Sequence, residues 1–212
     1  MAEKRVATIV DYGMGNLRSV ERALTVAGAA AQISRDPKVV RNSRMLILPG
    51  VGAFGDAMEN LKASGLDNAI LAAVGDGVPM LGLCLGLQLL FMESEEFGRH
   101  KGLGLIPGMV RRLDAPGLRV PHVGWNQVED CRPDSLMTRI PDGSYFYFLH
   151  SFYVEPEADA DILCRTEYGL RFCSVARRGQ VWGAQFHPEK SQEAGRQLLR
   201  NFLSVIEGSD GH

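Results

Sequence analysis

The sequence predicts a three-layer α/β fold: a mostly parallel open sheet flanked by helices, with additional antiparallel strands in the C-terminal part. Three observations predict it. In the first half of the chain, short apolar and β-branched runs alternate with stretches of helical periodicity, the pattern of βα units. In the last third, apolar runs follow one another so closely that their strands must be hairpin partners. Between them, an apolar run over residues 78–83 leads into Gly82-Leu83-Cys84-Leu85-Gly86. This is the form of a sharp strand-to-helix turn that pushes one side chain out of the backbone, with glycines where neighbouring chains pass too close for a Cβ.

Taken in order, residues 5–10 read as a first strand, followed by the loop Asp11-Tyr12-Gly13-Met14-Gly15-Asn16 and the helical spacing Leu17, Val20, Leu24. Gly13-x-Gly15 after a strand hints at a dinucleotide fingerprint, but Arg18 stands where the third glycine belongs, so a plain tight turn is expected. Residues 30–34 and 45–48 are the next strands, the latter apolar throughout as a strand covered on both faces should be. After Cys84 an apolar stretch reads as a buried central helix through Met92, with Glu93, Glu95 and Glu96 as its solvated end. Residues 101–112, broken by glycine and proline, read as a loop with short extended pieces, and residues 121–126 as a turn-rich stretch. An aromatic β-prone run spans residues 145–153, and three more strands follow at 162–168, 172–177 and 181–187. Ser191 is the expected N-cap of a last helix carrying Leu198, Leu199, Phe202, Leu203 and Ile206.

Length and composition set the class. The chain has 212 residues, 45% hydrophobic and 23% charged, which suits one ordinary globular domain with a full core. A net charge of −2 gives no electrostatic reason to expect nucleic acid or an anionic membrane as partner. No apolar run approaches the roughly 20 residues that span a bilayer, and the start carries no signal-peptide pattern. Cys84, Cys131, Cys164 and Cys173 form no C-x-x-C pair, so free thiols in a reducing cytoplasm are expected.

The chemistry centres on Cys84. A thiol with its ordinary pKa near 8.5 is mostly protonated at neutral pH, so a nucleophilic cysteine wants an imidazole nearby. His122, His150 and His187 are the candidates; His187 is preferred because Glu189, two residues on, can fix its tautomer. The glycine-rich loop Pro49-Gly50-Val51-Gly52-Ala53-Phe54-Gly55 follows the third strand, where α/β folds bind ligands. It is either a donor of N–H groups to an oxyanion or a plain connection. Gln88 lies one helical turn beyond Cys84 and can face whatever Cys84 attacks. Trp125 belongs either to a contact surface or to the core.

Gly82-Leu83-Cys84-Leu85-Gly86-Leu87-Gln88 and Gln185-Phe186-His187-Pro188-Glu189 resemble the two signatures of class I, triad-type glutamine amidotransferases. Within that family, residues 11–17, 49–54, 121–126 and 147–152 are similar to the glutaminase subunits of imidazole glycerol phosphate synthases, and the likeness runs from Val6 to Phe202. The resemblance implies a flavodoxin-like class I domain over residues 1–212, with residues 208–212 as a frayed tail. It implies that Cys84 attacks L-glutamine, that His187 serves as base and then acid, and that Glu189 orients it. Leu85 with Val51 or Gly52 would supply the oxyanion N–H groups, and Gln88, Glu96 and Ser151 would hold glutamine, which overrides the solvated reading of Glu96. No cofactor and no metal is implied. The ammonia would pass to a (β/α)8-barrel cyclase subunit in a heterodimer, with Lys101, Trp125, Asn126 and Tyr147 facing that partner. The runner-up is a glutaminase subunit of another triad-type enzyme, such as anthranilate or aminodeoxychorismate synthase.

Overall fold

The computed structural model describes residues 6–205. Arg5, Ile206 and the tail at 208–212 lie outside the described residues. The order is β1 (Val6–Val10), α1 (Leu17–Ala27), β2 (Ala30–Ser34), α2 (Pro37–Arg41), β3 (Leu46–Gly50), α3 (Phe54–Ser64) and α4 (Leu66–Gly75). Then come β4 (Met80–Cys84), α5 (Leu85–Leu89), β5 (Phe91–Ser94), β6 (His100–Lys101), β7 (Ile106–Arg112), β8 (His122–Val128) and β9 (Ser144–His150). β10 (Phe152–Pro156), β11 (Ile162–Glu167), β12 (Arg171–Arg178), β13 (Val181–Ala184) and α6 (Gln192–Leu203) complete it.

The main sheet runs β2-β1-β3-β4-β13-β12-β10-β7-β5-β6, with β11 paired to β12. From β2 to β13 it is parallel, and β12 turns back antiparallel against β13, as the closely spaced C-terminal runs require. Strand alternation divides the core in two. Ile9, Leu81, Leu83 and Trp182 pack with Val20 and Leu24 of α1 and Leu198 and Phe202 of α6 on one face. Val10, Leu46, Leu48 and Met80 pack with Phe54 and Leu61 of α3 and Ile70 of α4 on the other. The result is the expected three layers, with a second small sheet, β8 against β9, beside them.

Several expectations are corrected. The helix after Cys84 is only five residues long, and the chain is already a strand at Phe91. A run apolar on every side suits a buried strand as well as a buried helix. Glu93 and Glu95 therefore sit on and after β5, paired with Arg99 and Arg111, and do not close a helix. Residues 106–112 form a full strand between β5 and β10 despite Pro107 and Gly108. Glycine is required there: a Cβ on Gly108 would come within 2.3 Å of the Glu155 carbonyl oxygen. Residues 122–128 are likewise a strand, paired His122 to His150 and Trp125 to Tyr147. Ser191 begins α6 without a side-chain cap; its hydroxyl donates to the His187 carbonyl at 2.6 Å and accepts from the Tyr147 N–H at 3.0 Å. Finally, Cys131 and Cys164 are bonded to each other, while Cys84 and Cys173 are free. The paired backbones of Glu129 and Arg165 bring the two together, a contact the local sequence does not announce.

Candidate active site

Sheet topology assembles the site. β13 pairs in parallel with β4, Gly183 opposite Gly82, so the two strands end side by side. Cys84 ends β4 and His187 lies three residues past β13. At Cys84 the backbone takes φ 54° and ψ −110°, a conformation that costs a side-chain-bearing residue about 1–3 kcal/mol. The turn closes so tightly that a Cβ on Gly86 would lie 1.7 Å from the Leu48 carbonyl oxygen, and one on Gly82 2.6 Å from that of Gly86. Both flanking glycines are thus sterically enforced.

A cavity of about 260 Å³ opens at this elbow. Cys84, His187, Val51, Gly52, Leu85, Gln88, Glu96 and Ser151 all line it, so the predicted nucleophile, base, oxyanion loop and substrate contacts converge. A larger groove of about 710 Å³ adjoins it through Glu96 and contains Lys101, but holds no nucleophile.

Glu189 stands behind His187, its Oε1 2.9 Å from Nδ1, with both side chains nearly fully buried. The tripeptide is held by a 3-10 turn over Pro188–Lys190; only His187 itself is extended. With Nδ1 engaged, Nε2 is the nitrogen left for proton transfer with Cys84, and it is buried without a regular hydrogen bond. Burial pulls the His187 pKa down, but the Cys84 thiol and the Glu189 carboxylate outweigh it and raise it to about 10. The Cys84 sulfur itself lies 3.7 Å from the Leu149 carbonyl oxygen and 3.9 Å from the Gln185 amide nitrogen.

Glu96 is buried, and its Oε2 accepts the Phe54 N–H at 2.7 Å. Burial pushes its pKa up against that hydrogen bond. It is therefore a pocket carboxylate and not the solvated helix end that its spacing suggested.

Sequence reasoning missed three supports. Tyr12 is buried, and its hydroxyl donates to the Pro49 carbonyl at 2.9 Å, anchoring the Val51–Gly52 loop. A Cβ on Gly50 would come within 2.3 Å of that hydroxyl. Gln185 links the amide of Gln88 to the Cys84 sulfur; its position two residues before His187 was the available signal. The Phe152 carbonyl receives both Gln88 Nε2 and His150 Nδ1. His150 lines the cavity, but both its ring nitrogens are engaged, Nδ1 with the Phe152 carbonyl and Nε2 with His122, and burial pushes its pKa down to about 3.

Of the four residues expected at a partner face, Trp125 and Tyr147 share the β8–β9 sheet, their rings edge to face at 6.1 Å. Asn126 is on the same sheet, but its amide turns inward to Glu167 and His122. Lys101 is apart from them on β6.

Residues 8–206 match the family described as Glutamine amidotransferase class-I. The chain is 50% identical over 210 residues to the Imidazole glycerol phosphate synthase subunit HisH of Moorella thermoacetica, covering 98% of this chain and 100% of that one. It is 48% identical to the protein of the same name from Syntrophotalea carbinolica, covering 92% of this chain and 97% of that one. Among solved structures it is similar in fold to one described as a glutamine amidotransferase, at 20% identity and a TM-score of 0.74, covering 96% and 99% of the two chains. It is equally similar to a chain of PurLQS from Thermotoga maritima, at 19% identity and a TM-score of 0.74, covering 96% and 100%.

Proposed function

The chain belongs to the class-I glutamine amidotransferase family, and from that premise we propose that it is the glutaminase subunit of an imidazole glycerol phosphate synthase, acting on L-glutamine and passing ammonia to a (β/α)8-barrel cyclase subunit in a heterodimer of the cytoplasm. The single observation that carries the chemistry is a cysteine forced to positive φ in one cavity with an imidazole whose far nitrogen is held by a buried carboxylate.

The reaction follows from these groups. His187, its Nδ1 held by Glu189, takes the thiol proton on Nε2, and Cys84 sulfur attacks the side-chain amide carbon of glutamine. The oxygen becomes an oxyanion beside the backbone N–H groups of Leu85 and of Val51 or Gly52. His187 returns the proton to the nitrogen, the C–N bond breaks, and ammonia leaves a γ-glutamyl thioester. Water, deprotonated by His187, then splits the thioester to glutamate and free thiol. Gln88, Glu96 and Ser151 hold the amino-acid end of the substrate in this reading.

The partner reading draws on the surface. Val123, Trp125, Tyr145 and Leu149 expose a contiguous set of apolar side chains on β8 and β9, at the sheet that also lends Leu149 and His150 to the cavity. Among the described residues no helix is long and apolar enough to cross a membrane.

The test is kinetic. Cys84→Ala abolishes glutamine hydrolysis in the complex, a loss of roughly 10⁴-fold or more, while ammonia supplied from solution still supports cyclase turnover. Glu189→Gln lowers the rate less, since an orienting group matters less than a nucleophile. Retained hydrolysis in Cys84→Ala contradicts the assignment.

A further inference from the structure

Two buried imidazoles, His122 and His150, take no part in the chemistry above, yet they are joined to the pocket. His150 Nδ1 is 2.8 Å from the Phe152 carbonyl oxygen, which can only accept, so that nitrogen carries a proton. His150 Nε2 is then a lone pair, and His122 Nδ1, 3.0 Å away, must donate to it. His122 Nε2 in turn accepts from the Asn126 amide at 3.3 Å, whose second N–H goes to the Glu167 carbonyl at 2.9 Å. Each link has only one possible direction. Burial keeps both rings uncharged, with pKa values pushed down to about 4 for His122 and about 3 for His150. A second proton on His150 would set two donors against each other at the 3.0 Å link, and one on His122 would do so at the 3.3 Å link to Asn126.

The chain ends on the group that orients Gln88. The Phe152 carbonyl also accepts from Gln88 Nε2 at 3.1 Å, and the other N–H of that amide goes to Gln185 Oε1 at 3.3 Å. Both hydrogens being committed, Gln88 has its oxygen left to offer the cavity that it lines. With the carboxylate of Glu96 in the same cavity, the pocket presents acceptors, which suit the ammonium end of an amino acid.

We infer that His122 and His150 are positioning residues for substrate binding: their directed hydrogen-bond chain fixes the Phe152 carbonyl, which turns the Gln88 amide so that its oxygen faces the substrate. This rests on the glutaminase reading and extends it to residues outside the triad. His122 itself is not in the cavity wall; it stacks on Tyr168 at 3.9 Å and on Phe148 at 4.8 Å between ring centroids.

The experiment compares His122→Phe and His122→Asn with wild type in the complex. Phenylalanine preserves the stacking and removes the donor to His150; asparagine restores a donor near the position of Nδ1. His122→Phe raises KM for glutamine roughly five- to tenfold, the worth of one neutral hydrogen bond, with kcat within about twofold, and His122→Asn recovers most of the KM. An unchanged KM in His122→Phe, or a fall in kcat alone, overturns the inference. Imidazole ¹⁵N spectra of the wild-type chain give a readout independent of activity: both rings are neutral Nδ1–H tautomers at pH 6. A protonated ring or an Nε2–H tautomer at either position overturns the hydrogen-bond chain. A wild-type complex with no glutaminase activity refutes the functional reading instead, and the spectra still decide the chain.

Discussion

His187 and the His122–His150 pair are displaced in opposite directions by their surroundings, and this divides the pH range between them. His187 has its folded pKa raised from 6.5 to about 10, so its contribution to stability is complete below pH 6.5 and is lost as pH rises through 10. His122 and His150 stay neutral until about pH 4 and 3, whereas the unfolded chain protonates them near 6.5, so stability falls as pH drops below 6.5. Denaturation midpoints measured from pH 4.5 to 10.5 therefore peak near pH 6.5 with a fall on each side. Glu189→Gln makes the alkaline fall smaller and ends it at lower pH, because the carboxylate is part of what raises His187; an unaltered alkaline limb contradicts that role. Cys84, His187 and Glu189 were legible in the sequence because each carries its signal within five residues. Tyr12 and Gln185 were not, because their contacts to Pro49 and Cys84 span 37 and 101 residues.

Among the elements, those that were legible are the ones whose pattern has a single interpretation. β1, α1 and β2 fall where alternation and the Leu17, Val20, Leu24 spacing put them, with Asn16 capping α1. α5 and β5 did not, since periodicity does not separate a short buried helix from a buried strand. β7 and β8 were hidden by Pro107, Gly108 and Gly124, which read as loop signals but sit inside paired strands. The Cys131–Cys164 bond ties the loop after β8 to β11 across a separation of 33 residues. A loop of that size is worth roughly 3–4 kcal/mol by restricting the unfolded chain. Reduction of the oxidised protein, or Cys131→Ser, accordingly lowers Tm by several degrees and leaves kcat for glutamine unchanged; an unaltered Tm shows that the bond does not hold these elements together.

For the molecule as a whole, the parallel half of the sheet builds the elbow and the antiparallel half returns the chain to deliver His187 to it through β13. That division was foreseeable from the spacing of the C-terminal runs, and it explains why the proposed nucleophile and base come from different halves of the sequence. The separate β8–β9 sheet was not foreseeable from local pattern. It gives the molecule an exposed aromatic and aliphatic face next to the cavity, with Trp125 46% and Tyr145 56% exposed. Ammonia made at Cys84 is of use only to an acceptor, and the proposed acceptor is the cyclase docked on that face. The most direct measurement is glutamine hydrolysis by the purified chain, alone and with the (β/α)8-barrel cyclase subunit and its ligand. Turnover is slow for the chain alone, rises sharply with the cyclase, and does not rise with a chorismate-binding partner. Equal rates with and without the cyclase, or stimulation by the chorismate-binding subunit, contradict the proposed function.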